Sequence, residues 1–264
     1  MDYPAFKRMA GELTGIELEN YKSQQMDRRI HSLMQSWKIE TYEEFLTVLR
    51  NDPDRYRDFE KKLTINVSEF FRNPDRFEDL RQTVLPRLAR ERRLVRIWSA
   101  GCSNGAEPYS IAILLRESGL ESKAEIVGTD VDRLILREAS QAVYHPTQVK
   151  NLPAGLLEKY FEPLANGTYR LQDTIRGMIE FRHHNLLSDP FDSDLDLIIC
   201  RNVVIYFTEV AKNGLYQRFL QSLRPGGFLL VGGTEPLLNY RQLGFETGPP
   251  SFYRKPGGPE GSGA

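Results

Sequence analysis

Gly101 and Gly105 lie four positions apart and are followed two residues later by the acid Glu107, a combination that limits the ligands this stretch can hold. The tight G-x-G-x-x-G turn that brings backbone amides against a pyrophosphate is absent, as is the G-x-x-x-x-G-K-S/T phosphate loop. A looser glycine turn with an acid beside it suits a ligand carrying hydroxyls and a positive charge. That describes S-adenosylmethionine better than NAD or ATP. The alternative is an ordinary strand-to-helix turn in which glycine only relieves crowding. Asp130 follows Gly101 by 29 residues and closes a second strand. An acid there can accept hydrogen bonds from both ribose hydroxyls of an adenosine group, a step for which NAD folds use about 20 residues. A bare strand-end cap is the other reading of Asp130. Arg201 and Asn202 leave the carboxyl end of a third strand, the edge on which open α/β sheets hold their ligands. His31, His145, His183 and His184 show no metal-ligand spacing, so no metal site is expected.

These residues need a strand, a turn and a helix in that order. Leu94, Val95, Ile97 and Trp98 supply the bulk of a buried strand, and Ile111, Ala112, Leu114 and Leu115 recur along one helical face. Pro108 fits the first helical turn, where a missing N–H costs little. Strands at 124–130, 179–185, 195–202 and 228–233 alternate with helices, the signature of an α/β fold with a doubly wound, mostly parallel, Rossmann-like sheet. The apolar run Leu195–Cys200 should be central. Pro225-Gly226-Gly227 reads as a turn, and Ser251–Lys255 as the last strand. Between Tyr144 and Gly177, Pro146, Pro153, Pro163 and the hairpin signal Asn166-Gly167 interrupt this regularity and predict a small β-rich insertion.

Residues 1 to about 62 carry helical spacing only, as in Ile30, Leu33, Met34 and Trp37, and Thr41 opens a capping box with Glu44. The expected organisation is a helical N-terminal domain over 1–73, a second domain over 74–256 with its insertion near 145–178, and a flexible tail over 257–264. Phe70 and Phe71 read either as a hydrophobic seam or as the edge of a cleft.

Composition is that of a soluble protein, with 40% hydrophobic and 27% charged residues. A net charge of −1 argues against bulk nucleic-acid binding. No apolar run approaches a membrane span and the N-terminus lacks a signal-peptide core, so a cytoplasmic location is expected. Cys102 and Cys200 are expected to be reduced fillers. Eight arginines between Arg72 and Arg96 face four acids, an excess that reads as a solvated face. Lys22, Arg28 and Arg29 form a basic helix face that either docks on an acidic partner or is simply solvated.

Four stretches together resemble the CheR chemotaxis receptor methyltransferases: Asn66-Val-Ser68-Glu-Phe70-Phe71-Arg72, Gly101 to Ser110, Gly128-Thr-Asp130, and Arg201-Asn202-Val-Val-Ile-Tyr206-Phe207. The resemblance runs from the N-terminal helices to about Lys255. It implies a methyltransferase that moves a methyl group from S-adenosylmethionine to glutamate side chains of chemoreceptors in bacterial chemotaxis. It also implies cofactor contacts from Asn66, Ser68, Arg72, Glu107, Asp130, Asn185, Leu186, Arg201 and Asn202, with Arg72 and Tyr206 near the transferred methyl. Chemoreceptor helices become the expected partner, with the basic helix face as one way to reach them. Ser68 stands where the family usually has threonine, and Ala106 where the turn usually has a first glutamate; serine keeps the hydroxyl, and Glu107 keeps one charge. The insertion matches a small subdomain that in some members tethers a receptor peptide. A glutamate carboxylate ordinarily titrates at about pH 4.3, so it is ionised at neutral pH and needs no general base, which accounts for the missing histidine base. The competing reading is a non-catalytic adapter that binds S-adenosylmethionine and docks on a signalling partner.

Overall fold

The computed structural model describes residues 1–63 and 68–257, and the chain separates into two units: Met1–Asn66 with Val204–Asn213, and Val67–Val203 with Gly214–Ala264. In the first unit, helices span Tyr3–Thr14, Ser23–Trp37, Tyr42–Asn51 and Pro53–Leu63. Three of these four starts use side-chain caps that satisfy otherwise orphaned N–H groups, the exception being Ser23–Trp37. Asp2 accepts from the Ala5 N–H at 2.9 Å, Thr41 from Glu44 at 3.2 Å, and Asp52 from Asp54 at 3.0 Å. The Glu44 carboxylate reaches the Glu40 N–H at 3.4 Å instead of closing the box on Thr41. Phe45 sits edge-on to both Phe6 and Phe59, at 5.5 and 5.4 Å between ring centres, and all three are fully buried. Each such ring contributes about 1.5–3 kcal/mol of apolar burial.

Val204–Asn213 joins these helices although it follows the strand Leu195–Cys200 in sequence. The Lys22 N–H donates to the Tyr206 carbonyl and the Thr208 N–H to the Asn20 carbonyl, both at 2.8 Å. Tyr21 and Phe207 meet edge-on at 5.0 Å. The apolar residues after Cys200 therefore leave the sheet and complete the core of the helical unit.

The second unit is built on β1 (Val95–Ala100), β2 (Ala124–Asp130), β3 (Val143–Tyr144), β4 (Phe161–Pro163), β5 (Tyr169–Leu171), β6 (Ile179–His183), β7 (Leu195–Cys200), β8 (Leu223–Val231), β9 (Glu246–Thr247) and β10 (Phe252–Arg254). Seven of them form one sheet in the order β6-β2-β1-β7-β8-β10-β9. Pairing is parallel from β6 through β8, and β10 runs antiparallel to both its neighbours. This is the mostly parallel α/β sheet expected, and every residue of β7 is buried at its centre. Chain order reverses between β1 and β7, so the turns after Ala100 and Cys200 open on one edge. The β-rich insertion is a separate antiparallel sheet in the order β3-β5-β4.

Pro225-Gly226-Gly227 does not end a strand. Between β7 and β8 the register jumps from Leu195 opposite Leu223 to Leu197 opposite Phe228, so residues 224–227 bulge from within β8. The bulge brings Arg224 to the fully buried Asp196, and its Nη2 pairs with Glu91 at 2.9 Å. Asp196 also accepts from the Arg96 N–H at 2.8 Å, which ties β7 to β1. Local ion pairs neutralise much of the arginine-rich stretch: Arg76–Asp79 at 2.8 Å, Arg81–Glu78 at 2.5 Å and Arg87–Glu91 at 3.0 Å. Cys102 and Cys200 are buried and unbridged. Among the described residues, no helix is long and apolar enough to cross a membrane.

Candidate active site

The turn after β1 is held from below. The N–H groups of Gly101 and Cys102 both donate to the Thr129 carbonyl at 2.8 Å, locking the turn to the end of β2. Gly101 has φ +78°, and a Cβ there would lie 2.5 Å from Cγ2 of Val203, so glycine is required both by backbone conformation and by the close approach of the turn after β7. Gly105, at φ +82°, then opens the helix Ala106–Glu117 and places Glu107 in its first turn.

Two carboxylates face this edge, Asp130 buried and Glu107 half-buried. Asp130, 8% exposed, accepts from the Ser103 N–H at 2.8 Å and the Asp132 N–H at 3.0 Å. Burial pushes its pKa up to about 6; the N–H groups of Asp132, Ser103 and Val131 offset only part of that cost. Glu107 accepts from the Ser99 hydroxyl at 2.8 Å and from Arg201 Nη1 at 3.3 Å. Burial raises its pKa too, against the pull of Arg201, Ser99 and Arg72. A carboxylate offers about four lone-pair sites, so both retain acceptor capacity. Ribose hydroxyls and a positively charged chain are complementary to such acceptors, so the residues present fit S-adenosylmethionine.

Arg201 bonds to three groups of the protein. Its side chain is 2% exposed, and besides Glu107 it bonds through Nη2 to the Arg72 carbonyl at 2.7 Å and to Asn73 Oδ1 at 2.5 Å. The turn it holds is unusual: Phe71 and Asn73 have φ +50° and +61°, a conformation costly for a bulky side chain. The Phe71 N–H donates to Ser110 Oγ at 3.0 Å, the Phe71 ring packs on Phe77 at 5.0 Å, and the Phe70 ring inserts edge-on between Tyr144 and Phe161 at 4.7 and 5.2 Å. Arg72 is half-buried, and its charge reaches Glu107.

The remaining expected contacts sit on neighbouring turns. Asn185 and Leu186 follow β6; the Asn185 N–H donates to Asp189 at 2.9 Å and Arg218 holds the Leu186 carbonyl at 2.7 Å. The His184 N–H donates to the Asp130 carbonyl at 3.0 Å, tying that loop to β2. Asn202, at φ +60°, donates its N–H to Glu235 at 2.6 Å. Ser68 is half-buried, and Asn66 lies outside the described residues. Tyr206 belongs to the helical unit, where its ring lies 5.2 Å from the Arg29 guanidinium. The second unit thus gathers Arg72, Glu107 and Arg201 into one cluster, and places Asp130, Asn185, Leu186 and Asn202 on adjoining strand-end turns. Ser99, Asn73, Ser110 and Glu235 escape a reading of the sequence. Only Glu235 carried a signal, as a lone acid after an apolar strand.

A sheet that reverses its order beside a glycine turn and two acids fits the class of α/β methyltransferase domains that bind S-adenosylmethionine. Residues 66–248 match the CheR methyltransferase SAM binding domain, and residues 1–64 match the CheR methyltransferase all-alpha domain. The chain belongs to the CheR methyltransferase family. It is 40% identical over 256 residues to a chemotaxis protein methyltransferase of Listeria monocytogenes serovar 1/2a, covering 96% of this chain and 97% of that protein. It is 34% identical over 246 residues to chemotaxis protein methyltransferase 2 of Vibrio cholerae serotype O1, covering 89% and 85%. A solved structure of SAM-bound CalS10, an amino pentose methyltransferase from Micromonospora echinaspora, is similar at 15% identity and a TM-score of 0.36 over 60% of this chain and 49% of that one.

Proposed function

We propose that this methyltransferase esterifies glutamate side chains of chemoreceptors. The observation that carries the reading is the bonding of Arg201 to both Glu107 and the Arg72 carbonyl, which fixes a cation beside the acid expected to meet the cofactor. Bound S-adenosylmethionine supplies an electrophilic methyl group on a sulfonium. The chain's own residues have to align the acceptor and keep water from it. Arg72 holds one oxygen of the substrate carboxylate through a charge-assisted hydrogen bond and leaves the other free to attack. Carboxylate and sulfonium become an ester and a neutral thioether, so a poorly solvated site favours the reaction.

Glu107 and Asp130 engage the cofactor's hydroxyl and cationic groups, and Asn66, Ser68, Asn185, Leu186, Arg201 and Asn202 line its remaining surface. Tyr206 is the second residue that the family resemblance assigns to the methyl group. Lys22 and Arg28 are exposed and present positive charge to acidic receptor helices, while Arg29 is half-buried and donates to the Leu63 carbonyl at 2.8 Å. Names of the relatives support chemoreceptors as the substrate class. The test is transfer of radiolabelled methyl to receptor-containing membranes. Label released as methanol by mild alkali is the expected result; base-stable label overturns ester formation.

A further inference from the structure

Glu235 has no place in the chemistry above, yet its buried carboxylate, on a residue 6% exposed, joins two strand-end turns. One oxygen, Oε2, accepts from the Asn202 N–H at 2.6 Å and from the Gly232 N–H at 3.0 Å, and the Glu235 N–H returns to the Gly232 carbonyl at 2.9 Å. Gly232 is glycine for this reason: a Cβ there would overlap Oε2 and come within 3.1 Å of the Asn202 nitrogen. Asn202 is held at φ +60°, which asparagine tolerates at some cost, and the next residue, Val203, packs onto Gly101. The turn after β8 thereby braces the turn after β7, which braces the glycine turn after β1.

We infer that Glu235 is a positioning residue of the cofactor site: its carboxylate pins the Asn202 backbone in the left-handed conformation and so sets how Asn202 and the glycine turn meet the nucleoside. The inference rests on the reading of Asn202 as a cofactor contact. What matters is an acceptor of the right reach, since one oxygen serves both N–H groups. A carboxylate does this best, because hydrogen bonds to a charged acceptor are about twice as strong as neutral ones. A glutamine carbonyl reaches the same point with its amide nitrogen turned away, while an aspartate keeps the charge but is one methylene short.

The test measures S-adenosylhomocysteine affinity by calorimetry and hydrogen exchange at the Asn202 amide in the full chain. Glu235→Ala is expected to weaken binding about tenfold and to lose protection of the Asn202 amide. Glu235→Gln should stay within about threefold of the parent, and Glu235→Asp should resemble Glu235→Ala. If Glu235→Ala does not fold, the Gln and Asp variants still decide the matter. Aspartate outperforming glutamine, or an Asn202 amide equally protected in every variant, overturns the inference. Asn202→Ala separates the two readings: unchanged affinity there removes Asn202 as a cofactor contact, whereas the exchange measurement tests the Glu235 brace on its own.

Discussion

Arg201 donates through Nη2 to the backbone carbonyl of Arg72 at 2.7 Å, across 129 positions of sequence. The turn is thereby anchored through the backbone of Arg72 and does not depend on the identity of its side chain. With Nη1 on Glu107 at 3.3 Å, one guanidinium sets the spacing between an acid expected at the cofactor and a cation expected at the substrate.

Arg72→Ala is therefore expected to lower methyl transfer about a hundredfold or more while leaving the fold intact, because the anchored atom is its carbonyl. Turnover, S-adenosylhomocysteine affinity and thermal melting together check this. Full turnover in the variant would remove Arg72 from the reaction.

Arg201→Ala leaves the Glu107 carboxylate buried without its cation, which costs about 3 kcal/mol of stability and releases the Phe71–Asn73 turn. Arg201→Lys should recover little, since one ammonium cannot reproduce the planar fork that meets Glu107, Asn73 and the Arg72 carbonyl. Denaturant unfolding at pH 7 distinguishes the outcomes. A lysine variant as stable and active as the parent contradicts the clamp.

Asp130 predicts a pH dependence whose sign differs between the free protein and the complex. With its pKa raised from 3.8 to about 6, the folded protein holds the proton more tightly than the unfolded chain. Ionisation above pH 6 thus costs stability, and that cost is relieved as pH falls from about 6 towards 4. Ligand hydroxyls favour the ionised form, so S-adenosylhomocysteine affinity should fall as pH drops through about 6. Calorimetric titrations from pH 5 to 8 test this, and an affinity independent of pH over about that range contradicts it.

Reversal of charge at Lys22 and Arg28 is expected to raise the KM for receptor by about tenfold at low salt, with S-adenosylhomocysteine affinity unchanged, since exposed charges act through steering. Arg29→Ala should instead lower the stability of the helical unit, because Arg29 caps the Leu63 carbonyl and lies against the Tyr206 ring. Methylation kinetics against salt, with melting curves, separate the two effects. An unchanged KM in the charge-reversed variant removes the basic face from receptor docking.

Local chemistry made much of the second unit legible. The apolar bulk of β1, the glycines at 101 and 105 and the apolar face of the following helix specify a strand, a turn and a helix through neighbours only a few residues apart. Asp130 could be read for the same reason, as an acid ending a strand of known length. The hairpin at Asn166-Gly167 and the cap at Thr41 belong to this group as well.

Other features depend on which distant groups meet, and periodicity carries no record of that. The apolar run from Val204 onward looks the same whether it extends a strand or leaves the sheet, and only its pairing with residues 20–22 places it among the helices. Arg201 reads as a residue at a strand end, and nothing near it in sequence shows that its guanidinium bonds to Glu107, Asn73 and the Arg72 carbonyl. Glu235 and Gly232 show no common partner in the sequence, and only the fold brings Asn202 beside them. Hydrophobic spacing and turn chemistry act over short stretches of chain and so determined the elements; hydrogen bonding of buried polar groups acts across the fold, and tertiary packing alone decided those partners.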